Sequence, residues 1–281
     1  MSVGKEKTRK VVVTGGLGYL GIPTVKEFLK NGWFVKIIDK GIFFQEFDFH
    51  PYNDMVKIVL KDIRDVNYYD FNGYDACVHY AGFSNDPMAD FNMGVNLDVN
   101  AEGTRIAAES CAVAGCNNFS MASSASLYDT GDPSITMVVD ESSTPTTNSN
   151  YSKSKFIAEG YLKTVAENNP GFNPVVFRQA TVFGYAPKLR LDLVVNIMVK
   201  NALEKGRITI HNGGQPKRPL VSAVDVARAH YHLHEKYFDN MGSLKNEVFN
   251  ISQNNYTVRA LASFVKDYYE STFKKELVIE N

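Results

Sequence analysis

The stretch Thr14-Gly15-Gly16-Leu17-Gly18-Tyr19-Leu20-Gly21 decides the fold. It follows the apolar run Val11-Val12-Val13 and leads into a helical pattern, as where a parallel-sheet protein turns from its first strand into its first helix. Gly15, Gly18 and Gly21 let the backbone turn sharply, approach a pyrophosphate closely and pack the helix against the strand. From Tyr19 and Leu20 onward, the helix start offers free N–H groups and a positive dipole end to the phosphates.

Outward from this loop, strand and helix signals alternate. Strands are predicted at 10–14, 34–39, 56–60, 76–80, 118–121 and 174–178. Helices are predicted at 19–31, 95–114, 151–167, 192–205 and 224–236, with a long loop at 129–150. Repeated strand–helix units imply right-handed crossovers and an α/β, Rossmann-type, doubly wound parallel sheet covered on both faces. Residues 1–183 read as the dinucleotide-binding domain. Residues 184–281 read mainly as a smaller C-terminal substrate-binding lobe over the carboxyl edge, with segments that can return to the sheet.

The second predicted strand ends in Ile37-Ile38-Asp39. A carboxylate there accepts hydrogen bonds from both ribose hydroxyls and repels a 2′-phosphate, which favours NAD over NADP. Lys40 beside it would soften that discrimination. Asp62-Ile63 follows the third strand, positioned to meet the adenine edge; Asp62 reads equally as a helix N-cap. At mid-chain, Tyr151-Ser152-Lys153-Ser154-Lys155 puts a phenol and an ammonium four residues apart on one helix face. The ammonium favours the phenolate, so the tyrosine pKa is expected to fall toward the range of an acid/base catalyst.

With 281 residues, 44% apolar and 22% charged, the chain can bury one large core or a core plus a smaller lobe. The net charge of −1 gives no reason to expect nucleic acid or an anionic membrane as partner. Cys77, Cys111 and Cys116 form no CxxC pair and read as packed thiols of a reducing compartment, with no metal site expected. The first ten residues lack the apolar run of a secretory signal, and no stretch is long enough to span a bilayer, so a cytoplasmic location is expected.

Further motifs join these: His79-Tyr80-Ala81-Gly82, Asn100-Ala101-Glu102-Gly103-Thr104, Ser123-Ser124-Ala125-Ser126-Leu127-Tyr128, and Arg218 ahead of Val224-Asp225-Val226-Ala227. In this order they resemble the extended short-chain dehydrogenase/reductases of the nucleotide-sugar epimerase/dehydratase group, similar to the UDP-galactose 4-epimerases, over residues 10–260. The resemblance implies NAD as cofactor, a nucleotide-sugar substrate and a homodimer. It implies Tyr151 as the phenolate that takes a proton from a sugar hydroxyl and Ser124 as hydrogen-bond partner of that oxygen. Lys155 would hold the nicotinamide ribose and lower the tyrosine pKa. Tyr80, Ala81 and Gly82 would line the cofactor's phosphate and ribose side, and Asn100 would support that region. Ser84 and Ser126 match positions that touch the sugar. Thr181 replaces a family asparagine that often faces the sugar diphosphate, and Arg218 would meet that diphosphate with a planar, always-charged fork. Arg190 and Asp192 read as capping charges of the helix that follows.

Two absences narrow the chemistry. The family's 4,6-dehydratases carry Thr-Asp-Glu where this chain has Ser124-Ala125-Ser126, and the second acid/base pair of 3,5-epimerase/reductases finds no counterpart. Epimerisation at C4 by transient hydride abstraction is the leading expectation. A 4-ketoreductase, a 4,6-dehydratase or a non-catalytic dinucleotide sensor are the alternatives. The chain is shorter than such enzymes commonly are, which implies a reduced final substrate-contacting segment.

Overall fold

Val11, Val12 and Val13 are fully buried because β1 (Lys10–Thr14) lies in the middle of a seven-stranded parallel sheet. The computed structural model describes residues 8–132, 137–236 and 238–281; the start of the chain at 1–7 and residues 133–136 of the expected 129–150 loop lie outside these. On one side of β1 come β2 (Phe34–Asp39) and then β3 (Val56–Leu60). On the other come β4 (Ala76–His79), β5 (Asn118–Ser124), β6 (Asn173–Gln179) and, near the chain's end, the edge strand. The order therefore reverses at β1, and the glycine loop that follows it opens into the crevice where open α/β sheets bind ligands.

Alternation along β1 divides the core. Val12 packs with Phe119, Met121, Ala108 and Leu162, beneath α5 (Gly103–Ala114) and α6 (Asn150–Asn168). Val11 and Val13 face the opposite way, against Phe28, Leu29 and Trp33 and the helix α1 (Gly21–Lys30). All three cysteines are buried in the first cluster, and burial pushes the Cys77 and Cys111 thiols up. Short helices α2 (Tyr68–Phe71), α3 (Asp86–Phe91) and α4 (Met93–Leu97) cover loops of this half.

Several elements differ from the sequence pattern. The first helix starts at Gly21 rather than residue 19, because the Gly18 N–H turns back to the Gly15 carbonyl before the helix begins. The expected helix at 95–114 is α4 and α5 joined by a π-helical turn, Asp98–Glu102. That turn carries the buried Asn100, whose amide donates to the Phe83 carbonyl and to Asn96 and Ser154. β5 runs on to Ser124 because Ser123 and Ser124 pair with Arg178 and Gln179.

Beyond β6 the chain builds a second cluster around Met198, Leu220, Leu261 and Leu277. Here β7 (Thr181–Phe183), β9 (Lys217–Ser222) and β11 (Asn254–Thr257) form a small sheet, while β8 (Arg207–Thr209) pairs with β12 (Val278–Glu280). Helices α7 (Val194–Lys205) and α9 (Val258–Phe273) pack on it. Two segments return to the first half: α8 (Ala223–Lys236) packs on α1, and β10 (Val248–Ile251) extends the large sheet beside β6. Among the described residues no helix is long and apolar enough to cross a membrane.

Candidate active site

The glycine loop is shaped by backbone against backbone. Gly15 sits at φ +69°, and a Cβ on it would lie 2.8 Å from the Ala81 nitrogen. A Cβ on Gly21 would overlap the Gly15 carbonyl oxygen. Gly18 differs: its Cβ position meets only the Gly15 oxygen, at 3.2 Å, so that side is open. No side chain caps the start of α1; the Ile22 N–H bonds the Gly18 carbonyl at 3.2 Å and Pro23 has no N–H, so the loop N–H groups ahead of Ile22, up to Gly21, are the ones a ligand can take. A pyrophosphate fits this cradle.

Asp39 crowns the loop. Its carboxylate accepts from the Leu17 N–H at 3.1 Å and the Gly41 N–H at 2.8 Å, which fixes an anion at the end of β2 where a ribose would sit. Lys40 does not act on that carboxylate. It pairs with Asp62 at 2.9 Å, and Arg64 pairs with the same carboxyl at 2.8 Å. These bonds, the Arg64 fork first, hold Asp62 well below the usual carboxylate range. Asp62 also caps the turn Ile63–Asp65, so its capping role is the one formed, and Ile63 is buried against Gly103.

Two tyrosine side chains are committed to partners within the protein. The Tyr19 hydroxyl donates to the Gly184 carbonyl at 2.8 Å and accepts from Asn196, so its side chain ties the loop to the chain's second half. Tyr80 was expected to line the phosphate and ribose side. Its hydroxyl instead meets Thr24 at 2.9 Å beneath α1, and its ring stands edge-on to His230. Strand alternation is the reason: His79 takes the opposite face, bonded to Thr14 and Thr104, so Tyr80 must point toward α1. Burial pushes both phenols up. The Ala81 N–H bonds the Thr14 hydroxyl. Gly82 presses against the support below, since a Cβ there would lie 2.5 Å from Asn100 Oδ1 and 3.7 Å from Lys155 Nζ.

At the end of β5 the Ser124 hydroxyl accepts from the Ser126 N–H and hydroxyl at 3.1 and 2.9 Å. The phenol of Tyr151 lies near it, close enough for the serine hydroxyl to favour the phenolate. Tyr151 and Lys155 lie in the first turns of α6, which Ser149 caps reciprocally with Ser152, and Lys155 Nζ is 6.0 Å from the Tyr151 ring centroid. The expected fall of the tyrosine pKa is not what the site produces. Burial pushes the phenol up to about 12; the Arg190 charge and then the nearby Ser124 oppose this, and Asp86 adds to the rise. Desolvation disfavours the phenolate by more than the nearby cation restores. Lys155 is pushed down to about 8 by burial, against the pull of Glu159.

Behind Tyr151 and Lys155 lies a network that sequence reading did not identify. Arg178 and Glu159 form a buried pair at 2.7 Å, Ser123 donates to Glu159, and Arg178 donates to the Tyr128 hydroxyl at 2.7 Å. Its signal was present: Glu159 follows Lys155 by one helical turn, on the face that carries Tyr151 and Lys155.

On the far side of the crevice, Thr181 opens β7 opposite Leu220, and the exposed Arg218 lies two residues before Leu220 on β9. Both therefore present to one face of the small sheet. Ser84 is exposed, and its carbonyl accepts from Arg190 at 3.2 Å. Arg190 and Asp192 are not helix caps: α7 begins after Leu193 with no side-chain cap, while Arg190 forks onto Asp192 and Asn85 donates to Asp192 at 2.9 Å. Those bonds hold Asp192 at about 2.

Comparison with known proteins adds three likenesses. The chain is 26% identical to a UDP-glucose 4-epimerase of Neisseria meningitidis serogroup C, over 79% of this chain and 72% of that one. Its fold matches a UDP-N-acetylglucosamine 4-epimerase from Methanobrevibacter ruminantium, solved with UDP-N-acetylmuramic acid, at TM-score 0.81 and 23% identity, covering 98% and 86% of the two chains. It also matches MoeE5, solved with UDP-glucose and NAD, at TM-score 0.76 and 22% identity, covering 97% and 85%. The family model for NAD dependent epimerases and dehydratases matches residues 11–252, from β1 through the returning β10. A cradle suited to a dinucleotide and a match of that length make NAD the cofactor, and the chain belongs to the NAD dependent epimerase/dehydratase family.

Proposed function

We propose that this protein is a nucleotide-sugar 4-epimerase in which Ser124, Tyr151 and Lys155 form the proton relay. One observation carries the reading: a strand-end hydroxyl, a phenol and an amine from β5 and α6 meet at the carboxyl edge of the sheet, beside the glycine loop. NAD, when bound, supplies the acceptor and donor of hydride. Tyr151 takes the proton of the C4 hydroxyl as a phenolate, and Ser124 hydrogen-bonds the same oxygen. On return, the protonated Tyr151 gives its proton back to that oxygen with the sugar presenting its other face. Lys155, pushed down to about 8, still carries its charge near neutrality and can hold the cofactor's ribose.

The glycine loop and Asp39 would hold the dinucleotide, with Tyr19 and Leu20 contributing backbone N–H groups and Ala81, Gly82 and Asn100 flooring the site. Arg218 and Thr181 would take the sugar diphosphate, and Ser84 and Ser126 the sugar. In this reading residues 1–183 carry the cofactor and 184–281 mainly the substrate, with α8 and β10 as return segments. It includes a cytoplasmic homodimer. Elimination of water is disfavoured, because Ala125 and Ser126 stand where a dehydratase needs an acid and a base.

The test is conversion of UDP-galactose to UDP-glucose without net change in NADH. Tyr151→Phe should keep fold and NAD binding while turnover falls by at least ~10²–10⁴-fold. Near-normal turnover in that variant, or steady consumption of reduced cofactor by wild type with a keto-sugar, would overturn the epimerase reading.

A further inference from the structure

Ser124 and Ser126 belong to one tight feature, the turn Ala125–Tyr128, which the chain enters from β5 and which the Ser124 side chain caps by accepting from the Ser126 N–H. Both ends of that turn are fastened to the same buried ion pair. Just ahead of it, the Ser123 hydroxyl donates to the Glu159 carboxylate. At its far end, the Tyr128 hydroxyl accepts from Arg178 at 2.7 Å and donates to Asn250 on β10 at 3.0 Å. Arg178 forks onto Glu159 at 3.1 and 2.7 Å, so its guanidinium holds the carboxylate that anchors Ser123 and the Tyr128 phenol at once.

We propose, building on the relay above, that Arg178 and Glu159 are positioning residues: their pair sets where the Ser124 hydroxyl stands relative to Tyr151 and Lys155.

The pair sits where the two elements that carry the relay meet. Glu159 lies four residues after Lys155 on α6, so it shares the helix face of Tyr151 and Lys155. Arg178 on β6 is the register partner of Ser123 on β5, and side chains of directly paired residues share one face of a sheet. The strand that ends in Ser124 and the helix that begins with Tyr151 therefore bear on one set of hydrogen bonds. The Arg178 and Glu159 side chains are only 6% and 9% exposed. At that depth an ion pair adds little stability, because removing two charges from water offsets most of their attraction, and apolar residues of like volume often do as well. Apolar residues, however, carry no direction. The carboxylate accepts from three donors, Ser123 and two nitrogens of Arg178, and the planar fork fixes the angle at which Tyr128 is met. Direction is what a proton relay requires, since a misplacement of about 1 Å costs on the order of a hundredfold in rate.

The test uses NAD-loaded protein with UDP-galactose as probe. Ser123→Ala and Tyr128→Phe each remove one hydroxyl and leave the ion pair whole, so the fold should stand. Each should lower kcat by about threefold to tenfold, with KM within about twofold of wild type. Glu159→Leu combined with Arg178→Met replaces the pair by apolar side chains. Its denaturant midpoint should match or exceed that of wild type, while kcat falls by about a hundredfold. In a Ser124→Ala background, Ser123→Ala and Tyr128→Phe should lower kcat no further, because the hydroxyl they position is gone. Hydrogen exchange at the Ser126 N–H, followed by NMR, should quicken by about threefold or more in both single variants, whatever their turnover. An equal loss of kcat with and without the Ser124 hydroxyl would overturn the proposal, as would unchanged Ser126 exchange in both single variants. Wild-type turnover by Ser124→Ala would instead remove the relay, with the exchange still reporting the hold on the turn, so the two failures are told apart.

Discussion

The two rims of the crevice are built from different materials. The rim around β1, β2 and β4 is backbone: Gly15 against Ala81, Gly21 against Gly15, and Asp39 pinned by two main-chain N–H groups. The rim at 184–193 and β9 is side chain: Arg190, Asp192, Lys188 and Arg218, several with exposed stems. Backbone packed to contact tolerates no added atom, whereas side chains on a loop can be exchanged without disturbing the sheet beneath. One rim therefore suits an unvarying dinucleotide, and the other a substrate whose sugar can vary on the same scaffold.

The largest expected effect breaks the first rim. Gly21→Val places a Cβ on the Gly15 carbonyl and against Gly16 backbone, where nothing flexible can yield. Overpacking against backbone should cost about 3 kcal/mol or more and abolish NAD binding. Leu189→Ala on the far rim should stay within about 0.5 kcal/mol, as a surface substitution does. Denaturant midpoints of the two variants check this; a normal midpoint for Gly21→Val would mean that the loop yields after all.

That contrast also explains what the sequence made legible. The glycine loop, Asp39 and the Tyr151/Lys155 spacing are local constraints, each satisfied within a few residues of chain, and strands β1, β2 and β3 fall where short apolar runs put them. The direction of the Tyr80 side chain is set by what His79 does one residue earlier, and His79 is turned by Thr14 and Thr104. Arg190 and Asp192 read as helix caps because their decisive partners, Ser84 for the first and Asn85 for the second, are over a hundred residues away in sequence. The sign of the Tyr151 shift was missed for a related reason. A spacing of four reports the cation but carries nothing about how deeply the phenol is buried.

A second prediction sharpens the comparison through pH. His79 braces the backbone rim between Thr14 and Thr104 at 2.9 and 3.0 Å, and burial followed by the Lys155 charge pushes it down to about 3. The unfolded chain binds a proton there near the ordinary 6.5, so stability is complete above that value and is lost as pH falls from 6.5 toward 3. At pH 5 this one residue should cost about 2 kcal/mol, and the buried His230 and His234 act in the same direction. Asp192, held at about 2, contributes stability above 3.8 that is lost only below it, so the far rim holds as the near rim weakens. Unfolding midpoints between pH 7 and 5 should show a smaller acid loss in His79→Gln than in wild type. Equal losses would place the proton uptake at the other two histidines.

The smallest expected effect is on the side-chain rim itself. The Arg218 side chain is exposed on β9 and, among the described residues, makes only a long 3.3 Å bond to its neighbour's carbonyl, while its backbone pairs with β11. Arg218→Lys keeps the charge but loses the planar fork that matches a diphosphate, so stability and NAD affinity should be unchanged. The KM for UDP-galactose should rise by about threefold to tenfold with kcat nearly constant, the pattern of a contact made equally in ground and transition states. A parallel fall in kcat would mean that the far rim helps set the sugar's pose during hydride transfer. The two rims would then differ in material but not in how firmly they must hold what lies between them.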